Sequence, residues 1–211
     1  MRRAFSGAIS ACLFAGVTAA ATRLHHLSGP VHLDRLSPAA VVPGRLAGLL
    51  ARLRLGRLAT LVDWRAVVSL ASPAVGVVAA LALASVAWAR RDRLGAVLCL
   101  APVLAVVITE LVAKPLVDRR LGPGLAFPSG HATTAAAVVA LVVLLAHRHR
   151  GWMGVARVAG PAVAFLAVVA AALVRLGYHY PTDVVGGIAV GIATVLAVNA
   201  LVPEARPHPA S

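Results

Sequence analysis

Apolar residues occur along this chain in long blocks separated by short polar segments. Six mainly apolar runs lie at roughly residues 4–22, 66–89, 94–113, 132–146, 155–174 and 184–202. At a rise of about 1.5 Å per residue, about twenty helical residues cross a hydrocarbon core of about 30 Å, so most runs are long enough to span a bilayer. The fourth run reaches that length if its helix extends from His131 to His147. The pattern predicts an all-α, integral membrane bundle of six helices.

The first run has two interpretations. Arg2 and Arg3 precede it and "TAAAT" forms its end, which is typical of a cleaved secretory signal and also of a retained first helix. We expect the retained helix. Both interpretations place the next segment outside the cytoplasm.

The segment between the first two helices, residues 23–65, predicts a short amphipathic element. Within it, "PGRLAGLLARLRLGRLATLVDW" spaces leucines and arginines three or four residues apart. This spacing is typical of a helix lying in the membrane interface, with arginines among lipid phosphates. A cap packed over the bundle, without lipid specificity, fits the spacing equally well.

The end of the chain adds two expectations. Gly187 and Gly191 in the last run form a small-xxx-small pair that lets two helices approach closely. Residues 203–211 are short and Pro-rich and are expected to be a disordered tail. We expect one transmembrane domain over residues 1–211, with a motif-bearing core at about 66–202.

Composition agrees with a membrane protein and narrows its partners. The chain is 60% hydrophobic and 13% charged, with a mean hydropathy of +0.89, which excludes an ordinary soluble domain. Its net charge of +13 comes from nineteen arginines and one lysine, Lys114. The arginines lie mainly between apolar runs, which is typical of topology signals and phospholipid contacts, so we expect membrane lipids and not nucleic acid as partners. Cys12 and Cys99 lie inside apolar runs and predict no disulfide.

Short basic loops predict the orientation. "MRR", "RRDR" and "HRHR" are all cytoplasmic if the N terminus is inside, and the connections after the first, third and fifth helices then face outward. The segment from Arg23 to Arg65 opposes this assignment, because its seven arginines would lie outside. Long loops weigh less in the positive-inside rule, so we still expect the connections after the first, third and fifth helices to face outward.

Two polar segments carry the candidate chemistry. "ELVAKPLVDRRLGPGLAFPSGH" joins the third and fourth helices, and "LVRLGYHYPTDV" joins the fifth and sixth. One helix leads away from His131 and another returns to His179, so both histidines end on the same membrane face. The cationic side chains and the backbone N–H groups where the fourth helix begins predict an anion site there, most simply for phosphate. Its candidate ligands are Lys114, Arg119, Arg120, Ser129 and Gly130.

The two histidines predict phosphoryl transfer without a metal. Asp183 lies four residues after His179 and Pro181 suits the first turn of a helix, so the carboxylate can reach back to an imidazole N–H. That contact fixes the tautomer and strengthens the ring as a base or nucleophile, while His131 can protonate the leaving oxygen. There is no His-Glu-x-x-His spacing, and the nearby arginines repel a cation. We therefore expect no metal and no other cofactor.

These segments resemble the type 2 phosphatidic acid phosphatase family, which shares its core fold with vanadium-dependent haloperoxidases. "PSGH" at 128–131 matches one family motif in full, and "GYHYPTDVVGG" closely resembles another. The resemblance implies that Lys114 binds phosphate, His131 is the general acid, His179 is the nucleophile and Asp183 is its partner. It further implies a membrane lipid phosphatase acting on a lipid phosphate or diphosphate.

The sequence departs from the family pattern at two arginines. The first motif usually ends in Arg-Pro seven residues after the lysine, but position 121 is leucine, and we expect Arg119 to replace the usual residue. The third motif usually has Ser-Arg where this chain has Ala172 and Leu173, and Arg175 is the candidate substitute. A lipid-binding or scramblase-like protein without turnover is the main alternative. A haloperoxidase is disfavoured by the six apolar runs.

Overall fold

The computed structural model describes residues 2–35 and 63–202, which form a helical bundle. The expected interfacial helix lies mostly in residues 36–62, and the tail is residues 203–211; both lie outside the described residues. The order of elements is α1 (Arg2–Leu24), a 3-10 turn (His32–Arg35), α2 (Trp64–Leu70), α3 (Pro73–Ala89), α4 (Arg93–Cys99), α5 (Ala101–Val107), a π-helical segment (Ile108–Ala113), α6 (Lys114–Val117), β1 (Arg120–Leu121), β2 (Gly124–Leu125), α7 (Gly130–Arg175) and α8 (Pro181–Leu201).

The expected all-α membrane bundle is confirmed. Four helices in the described ranges are long and apolar enough to cross a membrane, and a fifth span results if α2 and α3, which meet at 45°, are taken together. α7 has 46 residues and is broken at Gly151, where the backbone leaves helical angles. Ala132 and Ala135 near its start pack in one cluster with Val169 and Ala172 near its end, so its halves are antiparallel and supply two passes. The described residues thus hold six passes.

Local sequence explains where several helices begin. Asp63 accepts hydrogen bonds from the first N–H groups of α2, and Ser72 caps α3 in the same way, with Pro73 in the first helical position. Pro181 has that position in α8. These caps satisfy donors that a helix start leaves without intrahelical partners.

Small residues let α7 and α8 pack closely, as the Gly187 and Gly191 pair predicted. A Cβ atom on Gly187 would lie 2.4 Å from the Ser129 carbonyl oxygen, and one on Gly191 would lie 2.4 Å from the Thr133 carbonyl oxygen. Backbone atoms cannot move aside as a flexible side chain can. The close approach therefore sets the position of the start of α7, which carries His131.

The first helix packs on the last. The Ser10 hydroxyl donates to the Ala193 carbonyl at 2.9 Å, and the Ser6 hydroxyl donates to the Leu196 carbonyl at 3.1 Å. α1 is thus part of the bundle, and the chain that leaves it reaches the same end as the α6–α7 connection. There, the backbone N–H of His26 donates to the Val117 carbonyl, and the backbone N–H of Arg120 donates to the Leu27 carbonyl.

Candidate active site

The two predicted histidines lie together at one end of the bundle. His131 is in the first turn of α7, and His179 is in the connection just before α8. Their ring centroids are 6.4 Å apart and the ring planes are inclined at 57°. The count of helices predicted that the two histidines would lie at the same end of the bundle, and they do.

The start of α7 forms a backbone cradle beside these rings. The buried Ser129 caps the helix, because its hydroxyl accepts a hydrogen bond from the Ala132 N–H at 3.3 Å. The Ser129 N–H donates to the Asp183 carbonyl at 2.9 Å, which ties the starts of α7 and α8 together. The N–H groups of the first helical turn, at Gly130 and His131, carry the positive end of the helix dipole, which suits an anion.

Lys114 reaches this region, but a carboxylate already binds it. Its Nζ donates to both oxygens of Glu110, at 2.9 and 2.8 Å. Glu110 lies in the π-helical segment, and a Cβ on Gly130 would lie 2.0 Å from its Oε1 atom. Thus Glu110 stands between the predicted phosphate-binding lysine and the predicted phosphate cradle. π-helical segments are frequent at functional sites.

Arg119 occupies a different position from the one expected of a phosphate ligand. Its side chain is fully buried, with one terminal nitrogen 2.6 Å from Asp183 Oδ1 and the other 2.6 Å from Asp34 Oδ2. These nitrogens also donate to the Thr182 hydroxyl at 2.7 Å and to the Gly29 carbonyl at 3.2 Å. Four of the five guanidinium N–H groups therefore have protein acceptors, and only the buried Nε has no hydrogen-bond partner in the described residues.

The other two candidate arginines lie away from the histidine pair. Arg120 is on β1 with 55% of its side chain exposed, and it pairs with Asp118 at 2.9 Å. The exposed Arg175 places its guanidinium 5.6 Å from the centroid of the Trp64 ring. The structure therefore does not bring Arg120 or Arg175 into contact with the histidines.

The positions of the usual third-motif Ser-Arg pair belong to the hydrophobic core. Ala172 and Leu173 are both fully buried and pack with Val169 and Val184. Because position 173 is leucine, it supplies no cationic side chain where the family motif usually has an arginine. The predicted anion site therefore retains Lys114, the two histidines and the backbone of α7 as its candidate ligands.

Asp183 lies next to His179 at a distance longer than a hydrogen bond. The Asp183 Oδ2 atom is 3.9 Å from His179 Nδ1, and the same oxygen accepts the Tyr180 N–H at 3.0 Å. His179 Nδ1 is buried and has no hydrogen-bond partner among the described residues. The carboxylate faces the Nδ1 side of the ring, but the hydrogen bond that the four-residue spacing predicted is not formed. The two side chains must move slightly closer before His179 Nδ1 can donate a hydrogen bond to Asp183 Oδ2.

Burial and charge keep His179 neutral. Burial, followed by the positive charges of Lys114 and His131, lowers the pKa of His179 to about 4, although the Ala126 carbonyl acts in the opposite direction. A neutral imidazole has the lone pair that a nucleophile requires. At neutral pH the ring is therefore uncharged and keeps this lone pair.

Asp34 is a site residue that sequence reasoning missed. Its carboxylate is fully buried between Arg119 and the first turn of α8. The leucines and arginines of the surrounding segment predict an interfacial helix, and their spacing says nothing about a buried carboxylate. The available signal was the rarity of acids, because only seven occur in the chain and Asp34 lies among basic residues.

One comparison with known proteins gave a match. Residues 113–207 match the family model described as the PAP2 superfamily, which confirms the resemblance inferred from the motifs. The match covers just under half of the 211 residues and includes both histidines, Lys114, Arg119 and Asp183, whereas Asp34 lies outside it. No curated protein and no solved structure matched the chain.

Proposed function

We propose, from the premise that residues 113–207 of this chain belong to the PAP2 superfamily, that the protein is a membrane-embedded lipid phosphatase. It hydrolyses a lipid phosphate or diphosphate through a phosphohistidine and needs no metal. The observation that carries this proposal is the pair of His131 and His179, brought to 6.4 Å from two separate connections at one end of an apolar bundle. The neutral state of His179 supports its assignment as the nucleophile.

The proposed reaction has two displacements at phosphorus. In the first, His179 Nε2 forms a bond to phosphorus, the bond from phosphorus to the lipid oxygen breaks, and His131 gives that oxygen a proton. In the second, a water oxygen forms a bond to phosphorus, the bond from phosphorus to His179 Nε2 breaks, His131 takes a proton from the water, and inorganic phosphate leaves. Lys114 and the first-turn N–H groups of α7 neutralise charge on the transferring group.

An apolar cavity supports a lipid as the substrate. It has a volume of about 500 Å³ and lies between α1 on one side and the π-helical segment and α6 on the other, close to the connection that bears the cradle. Phe127 lines it and precedes Pro128 and Ser129, so the cavity and the phosphate site share one stretch of chain. A hydrocarbon chain fits such a lining and leaves the headgroup at the histidines. Other lining residues are Phe14, Val17, Val112, Leu116 and Val190.

The candidate substrates are a polyprenyl diphosphate, phosphatidic acid and phosphatidylglycerophosphate. Each combines a phosphate for the two histidines with a long apolar chain. We propose that the site faces the extracytoplasmic side of the cell membrane, in agreement with the short basic loops at the other end.

The test is phosphate release by the purified protein in detergent micelles, without added metal. Turnover of at least one of the three lipids is expected, with inhibition by vanadate and an acid-labile, base-stable phosphoenzyme after a rapid quench. His179→Ala is expected to abolish both signals. A folded protein that releases no phosphate from any of these lipids would refute the proposal.

A non-catalytic lipid-binding or scramblase-like protein is the second candidate. It is favoured by Arg119, whose terminal N–H groups are all bound to protein, and by Leu173 in place of the usual arginine. The same assay separates the two functions. Lipid transfer between leaflets in vesicles, without phosphate release and unchanged by His179→Ala, would support the second.

A further inference from the structure

Asp34, Arg119 and Asp183 form a continuous buried row of charges beside His179. Arg119 is in the middle, 2.6 Å from each carboxylate, and all three side chains are fully buried. The Arg119 guanidinium also lies 4.7 Å from the centroid of the Tyr180 ring. We call this row the Asp34–Arg119–Asp183 clamp.

The clamp joins three connections that are distant in sequence. Asp34 follows α1, Arg119 precedes β1, and Asp183 is in the first turn of α8. The second oxygen of Asp34 accepts the Thr182 N–H at 3.0 Å and the Thr182 hydroxyl at 2.7 Å. Asp34 therefore caps an N–H group at the start of α8 while it also holds the guanidinium that binds Asp183.

Asp34 is anchored as an anion. Burial raises the pKa of its carboxyl, but hydrogen bonds from Thr182 and Arg119 and from the Val31 N–H outweigh this effect, so the pKa is lowered overall. Two carboxylates and one guanidinium give the clamp a net charge of −1. That charge lies beside His179, whose Nδ1 is 3.9 Å from Asp183.

We propose that Asp34 is a positioning residue of the phosphatase reaction, acting through Arg119 to fix Asp183 beneath His179. The proposal rests on the proposed function. When His179 Nε2 bonds to phosphorus, the ring becomes cationic and its Nδ1–H gains an acceptor in Asp183. A carboxylate held beside the ring in advance stabilises that state with little reorganisation, because only the short approach from 3.9 Å remains to be made. Arg119 then acts behind the nucleophile and not as a ligand of the substrate.

The consequence is a loss of turnover without a loss of substrate binding when Asp34 is neutralised. Asp34→Asn keeps the volume of the side chain but removes its charge, which loosens Arg119 and Asp183. A misplacement of a catalytic group by about 1 Å can cost about 100-fold in rate. We expect kcat to fall by about 10- to 100-fold, with KM within about twofold of wild type.

The matched control is Asp118→Asn. Asp118 also pairs with an arginine of the same connection, Arg120 at 2.9 Å, but 30% of its side chain is exposed. Its kcat and KM are expected to match wild type. A double-mutant cycle of Asp34→Asn, Arg119→Lys and the double variant tests whether Asp34 acts through Arg119. If it does, the loss of kcat in the double variant is expected to be smaller than the two single losses combined.

The experiment measures kcat, KM and thermal unfolding of these variants in one detergent, on the lipid that wild type turns over fastest. Thr182→Val, which removes the hydroxyl between Asp34 and Arg119, takes the place of Asp34→Asn if the latter does not fold. Unchanged kcat, a loss that only follows the folded fraction, or a change confined to KM would each overturn the inference. Absence of turnover in wild type and in Asp118→Asn would instead refute the proposed function, and the inference with it.

Discussion

Arg119 and Asp183 form an ion pair that is completely shielded from solvent, with Nη1 2.6 Å from Oδ1 and both side chains 0% exposed. Asp34 binds the other terminal nitrogen at the same distance. Removing the guanidinium leaves two buried carboxylates facing each other, whereas removing one carboxylate leaves a neutral pair. A variant that lacks the guanidinium and a variant that lacks one carboxylate are therefore expected to differ in their free energy of unfolding.

The first prediction follows from this asymmetry. Arg119→Met is expected to lower the free energy of unfolding by about 3–5 kcal/mol, the usual cost of an uncompensated buried charge. Asp183→Asn is expected to keep most of the stability while it loses most of the turnover, because His179 loses its anionic partner. Thermal unfolding and phosphate release on the same preparations measure both. Equal stability of the two variants would contradict the charge argument.

The sequence predicted the spans and the meeting of the histidines for physical reasons. A bilayer fixes the length of a span, so long apolar runs such as 184–202 indicate helices, and counting passes between His131 and His179 places both on one face. The role of Arg119 was not accessible in this way. Its partners Asp34 and Asp183 are 85 and 64 residues away along the chain, and spacing within a motif carries no information about such contacts.

The second prediction is that Glu110 competes with the phosphate of the substrate for Lys114. The carboxylate binds the lysine at 2.8 Å, although both side chains keep some exposure, 34% and 15% respectively. A partly exposed pair contributes about 0.2–1 kcal/mol, so Glu110→Gln is expected to lower KM by up to about fivefold. Lys114→Met is expected to raise KM by about 10- to 100-fold, because it removes a charge-assisted hydrogen bond to phosphate. A higher KM for Glu110→Gln would show that Glu110 orients the lysine instead.

The third prediction uses the pKa of His179, which burial, followed by Lys114 and His131, lowers to about 4. A lowered pKa means that the ring stays neutral as the pH falls from 7 and becomes protonated only near pH 4. Carbethoxylation of His179 by diethyl pyrocarbonate, which requires a neutral ring, is therefore expected to have a midpoint near 4. A histidine model peptide, with a pKa of about 6.5, is the control.

Lys114→Met tests the cause of that shift. Loss of the positive charge is expected to move the midpoint for His179 upward, toward the model peptide but not to it, because burial remains. Peptide mass spectrometry after modification at each pH measures this without any requirement for turnover. A midpoint unchanged by Lys114→Met would assign the shift to burial and His131.

The fourth prediction compares two glycines of the bundle. A Cβ on Gly191 would lie 2.4 Å from the Thr133 carbonyl oxygen and 2.9 Å from the Ala137 nitrogen, both of them backbone atoms of α7. Gly191→Ala is expected to cost about 1–3 kcal/mol of stability and to lower kcat, because α7 must move away from α8 with His131 on it. Gly160→Ala is the control, since nothing lies within 4 Å of its Cβ and alanine favours a helix. Equal melting temperatures of the two variants would contradict the close packing.

The fifth prediction concerns the membrane face of the site. The basic residues Arg148 and Arg150 lie at the turn of α7, opposite the histidines, and the positive-inside rule places them in the cytoplasm. In a Cys12→Ala, Cys99→Ala background, Pro123→Cys, at the exposed tip between β1 and β2, is expected to react with a membrane-impermeant maleimide on intact cells. Arg148→Cys is expected to react only after lysis. The reverse result would invert the topology and show that the seven arginines between Arg23 and Arg65, and not the short loops, determine the orientation.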